Sequence, residues 1–166
     1  MPIEGIVQPE ILPVSDTLRL RRYDVVHVDA LAWYQDKETV WLVDGVRKPY
    51  DTARLERMYR YLDAHGELYW IEQLRDGAFV PIGDVTFSAE DMPIVIGDRT
   101  CRGRGVGSQV IQALIARGKQ LNFPALHVRE IYRWNDGSRR LFTKAGFLKD
   151  CETDSGCSYI LHLRDF

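Results

Sequence analysis

No stretch of the chain restricts its fold as tightly as residues 93–107, Pro-Ile-Val-Ile-Gly-Asp-Arg-Thr-Cys-Arg-Gly-Arg-Gly-Val-Gly. The apolar run 93–96 predicts a short strand buried on both faces. Gly103, Gly105 and Gly107 then alternate with Arg104 and Val106, and an amphipathic helix begins at once, with Val106, Val110, Ile111, Leu114 and Ile115 on one stripe of 106–120. Glycines let a backbone turn with positive φ and let a ligand come close. The first helical turn offers unpaired N–H groups and the positive end of the dipole, and successive amides in such a turn form an anion nest. Arg99, Arg102 and Arg104 concentrate positive charge in a chain whose formal net charge is −2. A ligand carrying a pyrophosphate suits these features.

The flanking pattern predicts an α/β domain. Residues 17–21 alternate apolar and charged, as a half-exposed strand does. Helices are expected over 29–35 and from Asp51, a good N-cap, to His65, with Gly66 as its C-cap. Strands over 68–74 and 78–88 flank Asp76-Gly77, a strong hairpin signal. A strand over 125–131, a short helix over 138–145 and a last hairpin of 147–153 with 157–163 follow. The expected architecture is one domain over 17–166, a mixed but mostly antiparallel sheet of about seven strands flanked by about four helices. Residues 1–16, with three prolines and little periodicity, read as a lead-in segment.

The glycine loop fails as a dinucleotide fingerprint, because Ser108 stands where the last glycine belongs, and as a P-loop, because no Gly-Lys-Ser/Thr follows. What remains is Arg102-Gly103-Arg104-Gly105-Val106-Gly107, which resembles the R/Q-x-x-G-x-G/A acyl-CoA motif of the GNAT superfamily. About thirty residues on, the stretch from Asn135 to Ala145-Gly146-Phe147 resembles the second signature of that family, an asparagine before a short helix that closes in glycine and phenylalanine. Glu130-Ile131 also falls where many members have Glu-Val.

The resemblance implies parallel, splayed fourth and fifth strands (93–96 and 125–131) with the pantetheine arm of acetyl-CoA between them. Ile96 and Gly97 would pair with that arm, the amides from Gly103 through Ser108 would hold the pyrophosphate, and Asn135 would hydrogen-bond the arm from the other side. Asn135 is equally suited to cap the short helix. Ser138, Arg139 and Lys144 are within reach of the nucleotide end, or form a solvated face. Direct attack by a deprotonated amine on the thioester needs a base. Asp98 is the first candidate, then Asp91 and Asp84, then Glu130, each of which also suits an ordinary ion pair or strand end. Many members carry a tyrosine four residues before the final glycine; here Phe142 occupies that position and donates no proton. Either thiolate departs unaided, or Tyr132 substitutes, or the domain binds acyl-CoA and catalyses poorly. Cys101 precedes a helix but has no histidine nearby for a covalent route.

The first helices supply the acceptor site in this family, so Trp41, Tyr50 and Asp84 are the candidates for a cationic amine, although amphipathic helices bury aromatics in any domain. A small-molecule or peptide amine is the expected acceptor, and the protein a monomer or homodimer. The charge balance argues against nucleic acid, no apolar run approaches the ~18 residues of a membrane span, and no signal-peptide layout opens the chain. Cys101, Cys151 and Cys157 suggest neither metal nor disulfide framework, so a cytoplasmic setting is expected. A regulatory acyl-CoA-binding module is the alternative reading.

Overall fold

The computed structural model describes residues 1–164. Its elements are β1 (Ile11–Pro13), β2 (Leu18–Arg22), α1 (Ala30–Gln35), α2 (Lys37–Asp44), α3 (Thr52–His65), β3 (Glu67–Arg75), β4 (Ala78–Phe87), β5 (Ile94–Ile96), a 3-10 turn (Arg99–Cys101), α4 (Val106–Gln120), β6 (Ala125–Tyr132), α5 (Asp136–Lys144), β7 (Leu148–Glu152) and β8 (Gly156–His162). The strands form two sheets, ordered β1-β2-β3-β4-β5 and β6-β8-β7, in which every ladder is antiparallel. Eight strands replace the seven expected, because the lead-in contributes β1, paired with β2. A fifth helix, α2, lies between the helices expected over 29–35 and 51–65. None of the described helices is long and apolar enough to cross a membrane.

The two-residue period of β3 divides the interior. Leu68 and Trp70 face α1–α3 with Tyr34, Leu55 and Tyr59, whereas Tyr69 and Ile71 face α4 with Val110, Ile111 and Leu114. Residues on the same side as Tyr69 include Glu67, which is fully buried and meets Arg117 of α4. The charged face of β2 is also engaged, since Arg19 and Arg21 both bind Glu72 of β3, at 2.8 and 2.9 Å. Gly66 is extended rather than left-handed. A Cβ there would lie 2.7 Å from Thr86 and 2.9 Å from the Phe87 carbonyl, so close approach to β4 explains the glycine.

The two sheets meet at one end of β5 and β6. His127 donates its N–H to the Ala89 carbonyl (2.9 Å) and Arg129 donates its N–H to Asp91 Oδ1 (3.1 Å). Beyond these bonds no ladder joins β5 to β6 among the described residues. The gap between them is where the site lies.

Candidate active site

The loop after β5 is built to leave amides free. Asp98 caps the 3-10 turn, Gly103 (φ 70) and Gly105 (φ 81) take left-handed conformations, and Gly105 is the N-cap of α4 without any side-chain cap. The first α4 bond runs from Gln109 N–H to the Gly105 carbonyl (3.1 Å). Among the described residues no protein group accepts from the N–H groups of 103–108. Apart from Arg104, these residues border a cavity of about 550 Å³. Ile94 and Ile96 of β5 form one wall, Thr39, Leu42 and Val43 of α2 another, and Asn135 with α5 a third. Leu141 of α5 sits so close to Gly107 that a Cβ there would be 3.4 Å away.

A second cavity of about 160 Å³ adjoins the first, sharing Leu42, Val43, Ile94 and Asn135 with it. It is formed partly by a bulge in β6: Val128 pairs with Tyr159 but Ile131 with Cys157, so one extra residue stands on the β6 side. The bulge frees the Arg129 N–H for Asp91 and brings Asp91, Glu130 and Tyr132 to one cavity. Burial raises the Asp91 pKa despite that hydrogen bond. Burial first, then the charges of Glu130 and Asp44, raise the Tyr132 phenol, which therefore holds its proton at neutral pH. Tyr132 stacks on Trp134 (4.8 Å), and Trp134 on Trp41 (4.3 Å), with the Arg47 guanidinium over Trp41. The Trp134 indole N–H donates to the Trp41 carbonyl (3.0 Å), tying α2 to this wall.

Ile96, Arg102, Gly103, Gly105, Val106, Gly107, Ser108, Asn135 and Ser138 all border the larger cavity, while Tyr132 and Phe142 border the smaller one with Asn135 and Ser138. Their hydrogen bonds qualify the expectations. The Ile96 carbonyl accepts from Arg102 Nε (2.8 Å), and Arg102 Nη2 donates to Thr39 Oγ1 (3.0 Å), so this arginine braces β5 and α2. Asn135 Oδ1 caps α5 through Ser138 N–H (3.1 Å), and its amide nitrogen donates to the Leu42 carbonyl (3.3 Å).

Other expected residues lie elsewhere. Gly97 donates its N–H to Ile82 (2.8 Å), and a Cβ there would come within 2.2 Å of the Trp33 ring. Close packing, not ligand access, explains that glycine. Arg104 is exposed and borders neither cavity. Asp98 also borders neither; it accepts from Thr100 (2.9 and 2.7 Å) and pairs with Arg75 (2.9 Å), which together hold its carboxyl below the usual range. The acceptor candidates Trp41, Tyr50 and Asp84 border neither cavity. Tyr50 is buried with its hydroxyl on Asp44 (2.5 Å), Trp41 is held in the indole stack, and Asp84 is 2% exposed in the core. Ile94, Leu42, Val43 and Arg140 were missed as cavity residues. For Leu42 and Val43 the signal was present: Asp36 before Thr39 and Gly45 bound an N-capped, left-handed-terminated helix over α2.

Asp84 accepts from the Tyr34 hydroxyl (2.9 Å) and the Tyr59 hydroxyl (2.9 Å) with no cation beside it, and burial pushes its pKa up to about 6. The folded state then binds the proton more tightly than the unfolded chain. This contribution is favourable below about pH 4 and is lost as pH rises to about 6. Asp84→Asn is expected to remove that decline. Urea unfolding at pH 4 and pH 7 would measure it, and equal pH slopes for both proteins would contradict it.

A sequence profile for the Acetyltransferase (GNAT) domain matches residues 17–148. No curated protein matches the sequence. Solved structures resemble the fold: a Bacillus anthracis acetyltransferase of the GNAT family (TM-score 0.72, 12% identity, 92% of this chain and 98% of that one) and a Staphylococcus aureus N-acetyltransferase (0.60, 18%, 90% and 100%). A third is a Salmonella typhimurium acetyltransferase that modifies the N-terminal serine of ribosomal protein L7/L12 (0.65, 22%, 92% and 99%). The chain belongs to the GNAT acetyltransferase family, whose reaction moves an acyl group from acyl-CoA to an amine. Among the described residues no group of three His, Cys, Asp or Glu is placed to hold a metal.

Proposed function

We propose that this protein acetylates a primary amine with acetyl-CoA, by direct attack in a ternary complex. The observation that carries the reading is the run of amides over 103–108, free of protein acceptors, in which every residue but Arg104 borders a cavity of about 550 Å³. Free N–H groups at a helix start fit a diphosphate. Gly103, Arg104, Gly105, Val106, Gly107 and Ser108 would hold it; Ile96, Asn135 and Ser138 would line the arm, and Phe142 would pack beside the reacting end. The bridging bonds from His127 to Ala89 and from Arg129 to Asp91 advance in the same sense along both chains, which favours parallel, splayed β5 and β6.

When bound, acetyl-CoA supplies an electrophilic thioester carbonyl and a thiolate leaving group. The chain's own residues would manage the proton and the position. Asp91, with its raised pKa and its place in the smaller cavity, is a better base than Asp98, whose carboxylate is already committed to Thr100 and Arg75. Tyr132, protonated at neutral pH, would donate to the departing thiolate in place of the tyrosine that Phe142 replaces. A peptide or small-molecule amine is the acceptor class; one structural neighbour modifies a protein N-terminus, so peptides belong in the panel. We place the reaction in the cytoplasm, in a monomer or homodimer.

Acetyl-CoA-dependent thiol release across amines and peptides tests this. Asp91→Asn is expected to lower kcat by about 10²–10⁴-fold and Tyr132→Phe by about tenfold or more, with Asp98→Asn the mildest. A larger loss in Asp98→Asn than in Asp91→Asn would reverse the assignment of the base. Tight acetyl-CoA binding without turnover on any amine would favour a regulatory module, the reading that Phe142 keeps open.

A further inference from the structure

The smaller cavity carries more negative charge than one reacting amine needs. Asp91 and Glu130 both border it, whereas no lysine, arginine or histidine does. Their hydrogen-bond partners are neutral groups: Asp91 Oδ1 accepts from the Arg129 N–H (3.1 Å), and Glu130 Oε2 accepts from the Thr153 hydroxyl and the Ser155 N–H (3.3 Å). The exposed Arg129 side chain offsets the Asp91 charge only in part, because burial still raises that pKa. Arg133 binds the Ser155 carbonyl through its N–H (3.0 Å) and the Asp154 carbonyl through its guanidinium (2.8 Å), so the β7–β8 turn that holds Glu130 is itself fixed to the end of β6. Glu130 Oε1 has no hydrogen-bond partner among the described residues, which leaves half of a positioned carboxylate for a ligand. Most of the remaining lining is apolar, with Met92, Val128 and Ile131 buried. At about 160 Å³ the cavity is well below the ~300 Å³ at which pockets begin to take drug-sized ligands, so it suits a narrow chain of few atoms.

Resting on the acetyl-transfer reading, we propose that the acceptor is a short, unbranched alkyl diamine and that Glu130 is the residue that selects it. The amine nearer the thioester gives its proton to Asp91. The far end stays an ammonium and pairs with Glu130, while the methylenes lie along Met92, Val128 and Ile131. A monoamine would leave one of the two carboxylates without a counter-charge in a partly buried cavity, which is costly. A free amino acid would bring a further carboxylate to a lining that has no cation to meet it.

The test compares acetyl-CoA-dependent thiol release on tetramethylenediamine, on butylamine and on a peptide panel, with the wild type and with Glu130→Gln, whose amide oxygen can still accept from Thr153 and Ser155. The wild type should favour the diamine over the monoamine by about tenfold or more in kcat/KM, chiefly through KM, and the preference should shrink as salt is raised. Glu130→Gln should bring the diamine down to about the level of the monoamine, with acetyl-CoA affinity, read by calorimetry, showing that the variant is folded. Equal wild-type kcat/KM for the two amines would overturn the proposal. An equal loss on both amines in the variant would do so too, since it marks a general role for Glu130 rather than a selective one. Turnover confined to peptides would overturn the diamine and leave acetyl transfer standing. Tight acetyl-CoA binding without turnover on any amine or peptide would overturn the transfer reading, and the proposal with it.

Discussion

Gly105→Glu is expected to weaken acetyl-CoA binding by more than about 100-fold while the protein stays folded. Gly105 has φ 81 and caps α4, and a Cβ built there finds only Gln109 Nε2, at 4.0 Å. A side chain therefore meets space rather than a wall, and the structural cost is the left-handed strain alone, about 1–2 kcal/mol. The functional cost is larger. A carboxylate among the 103–108 amides would accept their hydrogen bonds and repel a diphosphate, and like charges in contact cost several kcal/mol. Gly105→Ala separates the two effects, because it carries the strain without the charge. Calorimetry with acetyl-CoA, alongside thermal unfolding, reads both. Binding within threefold of wild type in the glutamate variant would contradict the placement of the anion.

The second large effect lies away from the cleft. Glu67 is fully buried and Arg117 nearly so, joined by two bonds of 2.6 and 2.7 Å, with the Tyr69 hydroxyl donating to the same carboxylate (2.9 Å). Arg117 also donates to the Val7 carbonyl (3.4 Å), so one guanidinium ties β3, α4 and the N-terminal segment together. Glu67→Ala leaves that cation buried without its counter-charge, at a cost of about 3–5 kcal/mol. At about 2–4 °C per kcal/mol, the melting temperature should fall by roughly 10 °C. Replacing both partners, Glu67→Leu with Arg117→Met, should be clearly milder, since no charge is then stranded. A loss below about 1 kcal/mol in Glu67→Ala would show that water reaches the pair.

How much of this was legible in the sequence follows from how local each signal is. The α4 stripe, the Asp76-Gly77 hairpin and the glycine loop depend on neighbouring residues, and all three are present. β1 was invisible because it is three residues long and defined by pairing with β2 rather than by its own pattern. The strand over 93–96 was expected to be buried on both faces, yet Ile94 and Ile96 border the cavity; a fully apolar triplet does not say which face is left open. Gly97 looked like part of the ligand loop, but Trp33, more than sixty residues earlier in the chain, requires it. Asp98 stands beside the loop in the sequence, which makes it the first candidate base. Its partner Arg75 comes from β3, and only the fold brings that cation to it. Asp91 and Tyr132 share a cavity because of a bulge in β6 that no local pattern announces.

The central claim is that the main-chain N–H groups at the start of α4 receive a diphosphate. Titrating the isotopically labelled chain with acetyl-CoA while following backbone amide resonances tests it most directly. The account predicts that the amides of 103–108 move first and furthest, saturating with a single affinity. Saturable binding that leaves those resonances in place while others shift would contradict it.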